Sequence, residues 1–66
     1  EGKTPRGIHV GSSAGELSRT YGNGQIENDA GEQWCFYQLG NRLLSFEIKD
    51  GKVVTITMNY DNGARE

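Results

Sequence analysis

From residue 32 to residue 60, apolar and polar positions alternate in three short runs, the two-residue period of half-buried β-strands. In "LLSFEI" the alternation turns Leu44, Phe46 and Ile48 to one side and Ser45 and Glu47 to the other. In "KVVTITMNY" it places Val54, Ile56, Met58 and Tyr60 inward and Val53, Thr55, Thr57 and Asn59 outward, with β-branched residues filling the run. "EQWCFYQL" carries apolar residues on both sides; Trp34 and Phe36 are read as inward, Cys35 and Tyr37 as outward. "LGNR" at 39–42 and "KDGK" at 49–52 connect the runs, and Asp50-Gly51 is a strong two-residue hairpin signal. Turns this tight cannot join parallel strands, so the three runs form an antiparallel meander.

Upstream, the rhythm changes. After an extended arm, "EGKTP", the segment "RGIHVG" alternates again, with Ile8 and Val10 on one side and Gly7 and His9 on the other, as in a further strand. Ser13 and Glu16 have the spacing of a capping box, in which the serine hydroxyl accepts the Glu16 amide proton. Behind it Ala14, Leu17 and Tyr21 form an apolar stripe, and Gly22 suits the left-handed residue that ends a helix. Two helical turns do not persist alone in water, so this helix has to lie on the sheet. Gly22 to Gly24 is a loop, Ile26 begins a short strand or anchors a loop, and Asn28 to Gly31 is a second turn-rich stretch. The fold class that follows is α+β, with one short helix packed on an antiparallel three- to four-stranded β-meander.

Size and charge narrow the function. The chain has 66 residues, at most one domain and near the lower limit for independent folding. It is expected to form a single domain over 1–66, and the start at Glu1 rather than Met suggests a piece of a longer chain. Seven basic and nine acidic residues give a net charge of −2. They are scattered singly, and only Lys3, Arg6 and His9 approach a basic cluster, so a phosphate-binding surface is not expected. No run is apolar over the length needed to span a membrane. The single cysteine, Cys35, rules out an intrachain disulfide.

Candidate chemistry is sparse. "GSSAGE" precedes a helix, but it lacks the Lys-Ser/Thr ending of a phosphate loop, and Glu16 would repel an anion, so it is strand-to-helix punctuation. A lone His9 and a lone Cys35 supply neither a nucleophilic triad nor a zinc ligand set. Asp29, Glu32 and Glu47 read as solvated charges. Asp29-x-x-Glu32 and "NYDNG" at 59–63 would hold calcium weakly at best. No catalytic residue, cofactor or metal is expected. The candidate interaction surface is the outer sheet face, with Tyr37, Val53, Thr55 and Thr57.

Two longer stretches, "GIHVGSSAGELSRTYG" and "WCFYQLGNRLLSFEIKDGKVVTI", are similar to the glycine-punctuated opening and the aromatic-then-Asp-Gly-Lys strands of small exported bacterial domains. These are the SmpA/OmlA-like lipoproteins and the β-lactamase-inhibitor-protein-like fold. The resemblance spans residues 4 to 60, and it implies a helix-plus-antiparallel-sheet unit, an extracytoplasmic or membrane-anchored parent, and protein interaction rather than catalysis. This chain departs in having one short helical segment, and no inhibitor-surface motif maps onto it. The leading expectation is a non-catalytic protein-interaction domain of an exported bacterial protein. The alternatives are a structural module that packs on sibling domains or self-associates, and a weak carbohydrate or small-ligand binder using Trp34 or Tyr60. Expected partners are a protein or a second copy, with no nucleic acid.

Overall fold

A computed structural model describes residues 3–60. Residues 61–63 of the "NYDNG" segment, and the first residues of the N-terminal arm, lie outside the described part. The elements run in the order α1 (Ala14–Tyr21), β1 (Gln25–Asp29), β2 (Glu32–Leu39), β3 (Arg42–Lys49) and β4 (Lys52–Tyr60). The four strands form one antiparallel sheet in sequence order. The expected α+β architecture is present, with Ile26 inside a true fourth strand.

Each hairpin closes through two residues: Asp29 pairs with Glu32, Leu39 with Arg42, and Lys49 with Lys52. At the first and last turns both central residues are left-handed, Ala30 and Gly31 at φ 52° and 84°, Asp50 and Gly51 at φ 54° and 76°. That geometry matches the right-handed twist of the flanking strands.

The helix begins where the capping spacing predicts. Ser13 Oγ accepts the Glu16 amide proton at 3.0 Å, and Gly22, at φ 83°, closes the last turn by donating to Ser18 O. Leu17 is buried, and Tyr21 packs its ring 5.5 Å from Tyr37 and 6.0 Å from Phe46. The core beneath the helix gathers Ile8, Leu17, Cys35, Tyr37, Leu44, Phe46 and Val53, flanked by half-buried Leu39, Ile48, Ile56 and Met58.

Several expected orientations are reversed. Register pairs Cys35 with Phe46 and Tyr37 with Leu44. Directly opposed residues share a face, so Cys35 and Tyr37 go into the core while Trp34 and Phe36 turn to the other side. Val53, expected outside, is fully buried. Val54, expected inside, is 39% exposed. The reason is a β-bulge: Ile48 pairs with Val53 but Glu47 pairs with Thr55, leaving Val54 as the extra residue. Ile56 and Met58 therefore face the core as expected, while Val53 joins them from the opposite parity.

"RGIHVG" is not a regular strand. It folds into a tight turn in which Thr4 N donates to Ile8 O, Gly7 N to Thr4 O and Ile8 N to Thr4 Oγ1. Ile8 plugs the core, but Val10, read on the same side as Ile8, is more than half exposed, as is Ile26. Backbone bonds from Gly11 N to Val53 O and from Val53 N to Ser12 O tie this segment to β4 beside the bulge.

The buried Tyr37 hydroxyl donates to Gly22 O at 2.9 Å, fastening the sheet to the helix terminus. Burial, with the adjacent Cys35 thiol, pushes its ionisation above the ordinary tyrosine range. The unfolded chain therefore releases this proton first, from about pH 10. Tyr37 thus contributes stability that is full below about pH 10 and lost as pH rises beyond it. Tyr37→Phe is expected to lose about 1 kcal/mol at neutral pH and to flatten the alkaline fall relative to the parent chain. Thermal unfolding from pH 7 to 11 on both proteins measures this; parallel curves would contradict it.

Candidate functional site

The face of the sheet opposite α1 is built by alternation and register together. Gln25 and Phe36 stand opposite one another, as do Phe36 and Ser45, and Ser45 and Thr57. The next row is Glu27, Trp34, Glu47 and Thr55. Trp34 and Phe36, two apart on β2, lie with ring centroids 6.3 Å apart and planes within 16° of parallel. With Glu27, Asp29, Ser45 and Thr57 they line an open basin of about 300 Å³.

Its polar groups are of two kinds. Trp34 Nε1 donates to Glu32 Oε1 at 3.1 Å, and Thr55 Oγ1 donates to Glu47 Oε1 at 2.9 Å. The first bond uses the only donor of the indole. Ser45 is 6% exposed at the basin floor, and its hydroxyl takes part in neither bond. Asp29 sits directly opposite Glu32, a like-charge pair that destabilises a sheet. Among the described residues no three His, Cys, Asp or Glu side chains converge as a metal site would require. The carboxylates surround the aromatic pair instead of meeting at a point.

Of the residues expected to form the interaction surface, Thr55 and Thr57 lie on this face. Tyr37 and Val53 do not: they belong to the core on the other side. Buried Tyr37 and Val53 are thus not available on the open face, where Trp34 and Phe36 stand half-buried instead. Alternation already turns Ser45 to the outer side and Asp29 reads as a solvated charge, while Glu27 carries no signal in the sequence; only the register brings the three together around Trp34 and Phe36.

Other candidate chemistry resolves into structure. Ser12 is buried and its Oγ accepts the His9 amide proton at 3.0 Å, while Ser13 caps α1, so both loop serines are engaged by backbone. His9 is exposed and its Nδ1 donates to Val10 O at 2.8 Å. Cys35 is a buried free thiol. A second, smaller hollow of about 90 Å³ lies between Arg6, Tyr21, Leu39 and Arg42. There the Arg6 guanidinium covers the Tyr21 ring at 5.1 Å and donates to Thr20 O. Among the described residues no helix is long and apolar enough to cross a membrane. No family model, curated protein or solved structure matches the chain.

Proposed function

We propose that the protein is a non-catalytic interaction module that binds a partner protein across the open face of its sheet, with Trp34 and Phe36 as the contact centre. The observation that carries this is the aromatic pair itself, held half-buried over a basin on the side of the sheet that α1 leaves uncovered. Aromatic anchors beside a pocket and within a polar rim are the usual energetic centre of an interface. The placement outside the cytoplasm rests on the resemblance of residues 4 to 60 to small exported bacterial domains.

The test is photo-crosslinking from a reactive group at Thr57, on the face, and from one at Ser18, on the exposed side of α1. A partner adduct is expected from Thr57 only. Trp34→Ala is expected to weaken capture about 30-fold, the effect of losing a hot-spot tryptophan worth about 2 kcal/mol. Equal adducts from both sites, or capture unchanged by Trp34→Ala, would remove the open face from the function.

Self-association is favoured by a different observation. Val54 and Tyr60 on the edge strand β4 are 39% and 63% exposed, and apolar side chains on an edge invite pairing with a second copy. Sedimentation across a hundred-fold concentration range decides it, a constant monomer mass ruling it out.

A further inference from the structure

We infer that the basin receives an arginine side chain of the partner protein, an inference that rests on the open face being the binding surface. Three features of the basin converge on that group. The first is charge. Register sets Trp34 between Glu27 and Glu47 on the neighbouring strands, with Glu32 bonded to its indole and Asp29 opposite Glu32. Four carboxylates thus border one aromatic pair, while the basic side chains Lys49 and Lys52, paired with each other at the β3–β4 turn, are both exposed. Gathering like charges costs stability, and a cation placed among them recovers it.

The second feature is what the aromatics leave available. Because Trp34 Nε1 already donates to Glu32, the indole offers a partner its π-face alone, and that face attracts cations. The rings of Trp34 and Phe36 are nearly parallel, so a flat cation can lie against them where a spherical one cannot use the plane. The third feature is Ser45. The residue is more than nine-tenths buried at the floor, where its hydroxyl oxygen can accept a hydrogen bond from an N–H group that enters deeply. A guanidinium meets all three demands: it is planar, it stacks on aromatic faces, and it carries five N–H donors for carboxylate and hydroxyl oxygens. A lysine ammonium supplies the charge without the plane. A neutral sugar could stack but would leave the carboxylates uncompensated.

The test uses the intrinsic fluorescence of Trp34, the only tryptophan in the chain. The probes are peptides of alternating threonine and arginine, with counterparts carrying lysine or the neutral isostere citrulline in place of arginine. The arginine peptide is expected to shift the emission saturably in about 20 mM salt and to lose affinity at physiological ionic strength. The citrulline peptide is expected to bind about ten-fold more weakly, as a cation–π contact with its hydrogen bonds requires, and the lysine peptide to fall between them. Glu27→Gln combined with Glu47→Gln is expected to weaken the arginine peptide similarly while leaving the melting temperature unchanged or higher, so that unfolding does not explain the loss.

No response to the arginine peptide, or equal affinity for the citrulline peptide, would overturn the arginine inference. If both peptides bound equally and calorimetry found neither bound to Trp34→Ala, the open face would survive as the binding surface with a different occupant. If calorimetry found the arginine peptide bound undiminished to Trp34→Ala, both the arginine site and the open-face surface would fall.

Discussion

Replacing Gly24 with alanine is expected to lower the melting temperature by about 10–20 °C, whereas the same change at Gly15 raises it by a few degrees. A β-carbon at Gly24 would stand 2.8 Å from Cys35 Sγ, 2.8 Å from the Phe36 carbonyl oxygen and 2.8 Å from Tyr37 Cζ. Two of these neighbours are core side chains and the third is backbone, so none can swing aside. Relief would have to come from pushing the start of β1 away from β2, which also pulls on the nearby contact between the Tyr37 hydroxyl and Gly22 O. Overpacking of this kind costs about 2–3 kcal/mol. At Gly15 the added methyl meets Arg19 Nη1 at 3.5 Å and Ser13 Oγ at 3.9 Å, ordinary contact distances. Inside α1 the alanine instead removes unfolded-chain entropy, a gain of about 0.5 kcal/mol. Differential scanning calorimetry of the two variants checks both signs. A Gly24→Ala protein as stable as the parent would mean that the loop entering β1 is not packed against β2 as described.

The contrast between these glycines shows where sequence patterning stops being informative. Gly22 reads from the sequence as the residue that ends a helix and does so at a left-handed φ, whereas Gly24 reads only as loop and yet leaves room for an aromatic ring. The helix itself was legible because its signals are local: a capping serine, an apolar stripe, a closing glycine. The meander was legible from its turns. Hydropathy does not settle which face of β2 points inward, since Trp34 and Phe36 compete with Cys35 and Tyr37, and the reading that places the first pair inside is the one the structure reverses. The inward face is nonetheless encoded in the turn. A two-residue loop at Gly40 and Asn41 pairs Leu39 with Arg42, hence Tyr37 with Leu44 and Cys35 with Phe46. Once Leu44 and Phe46 are inside, their partners must be too. The polar ends of the other row, Glu32 and Gln38, agree. The candidate site was hidden for the same reason, because its residues become neighbours only through this register. The N-terminal turn was misread because alternation at Ile8 and Val10 looks the same whether the backbone extends or folds on Thr4.

Val53→Asp is expected to prevent folding, while Val54→Asp, one residue along, is expected to change stability by less than about 1 kcal/mol. Simple alternation from Ile56 and Met58 predicts the reverse order. The Asp50-Gly51 turn pairs Lys49 with Lys52 and so Ile48 with Val53, which puts Val53 inside. Continued without a break, the same register would set Thr55 against Phe46 and leave Ile56 on the open face. The bulge at Val54 resolves the conflict by consuming one residue, and the adjacent valines are its mark in the sequence: two apolar neighbours at the point where the inward parity changes. Val53 is fully buried, with its amide and carbonyl bonded to Ser12 and Gly11, so a carboxylate there has neither water nor a cation. The chain's whole stability is of the order of 3–10 kcal/mol at its length. An unpaired buried charge costs several kcal/mol, enough to consume most of it. At Val54 the side chain is 39% exposed and stands outside the pairing, and an aspartate there remains hydrated. Far-ultraviolet circular dichroism with thermal unfolding of the two variants measures the order directly. If Val54→Asp were the damaging one, the bulge would be misplaced. Thr55 and Thr57 would then leave the face that carries Trp34, and the basin would lose its β4 wall.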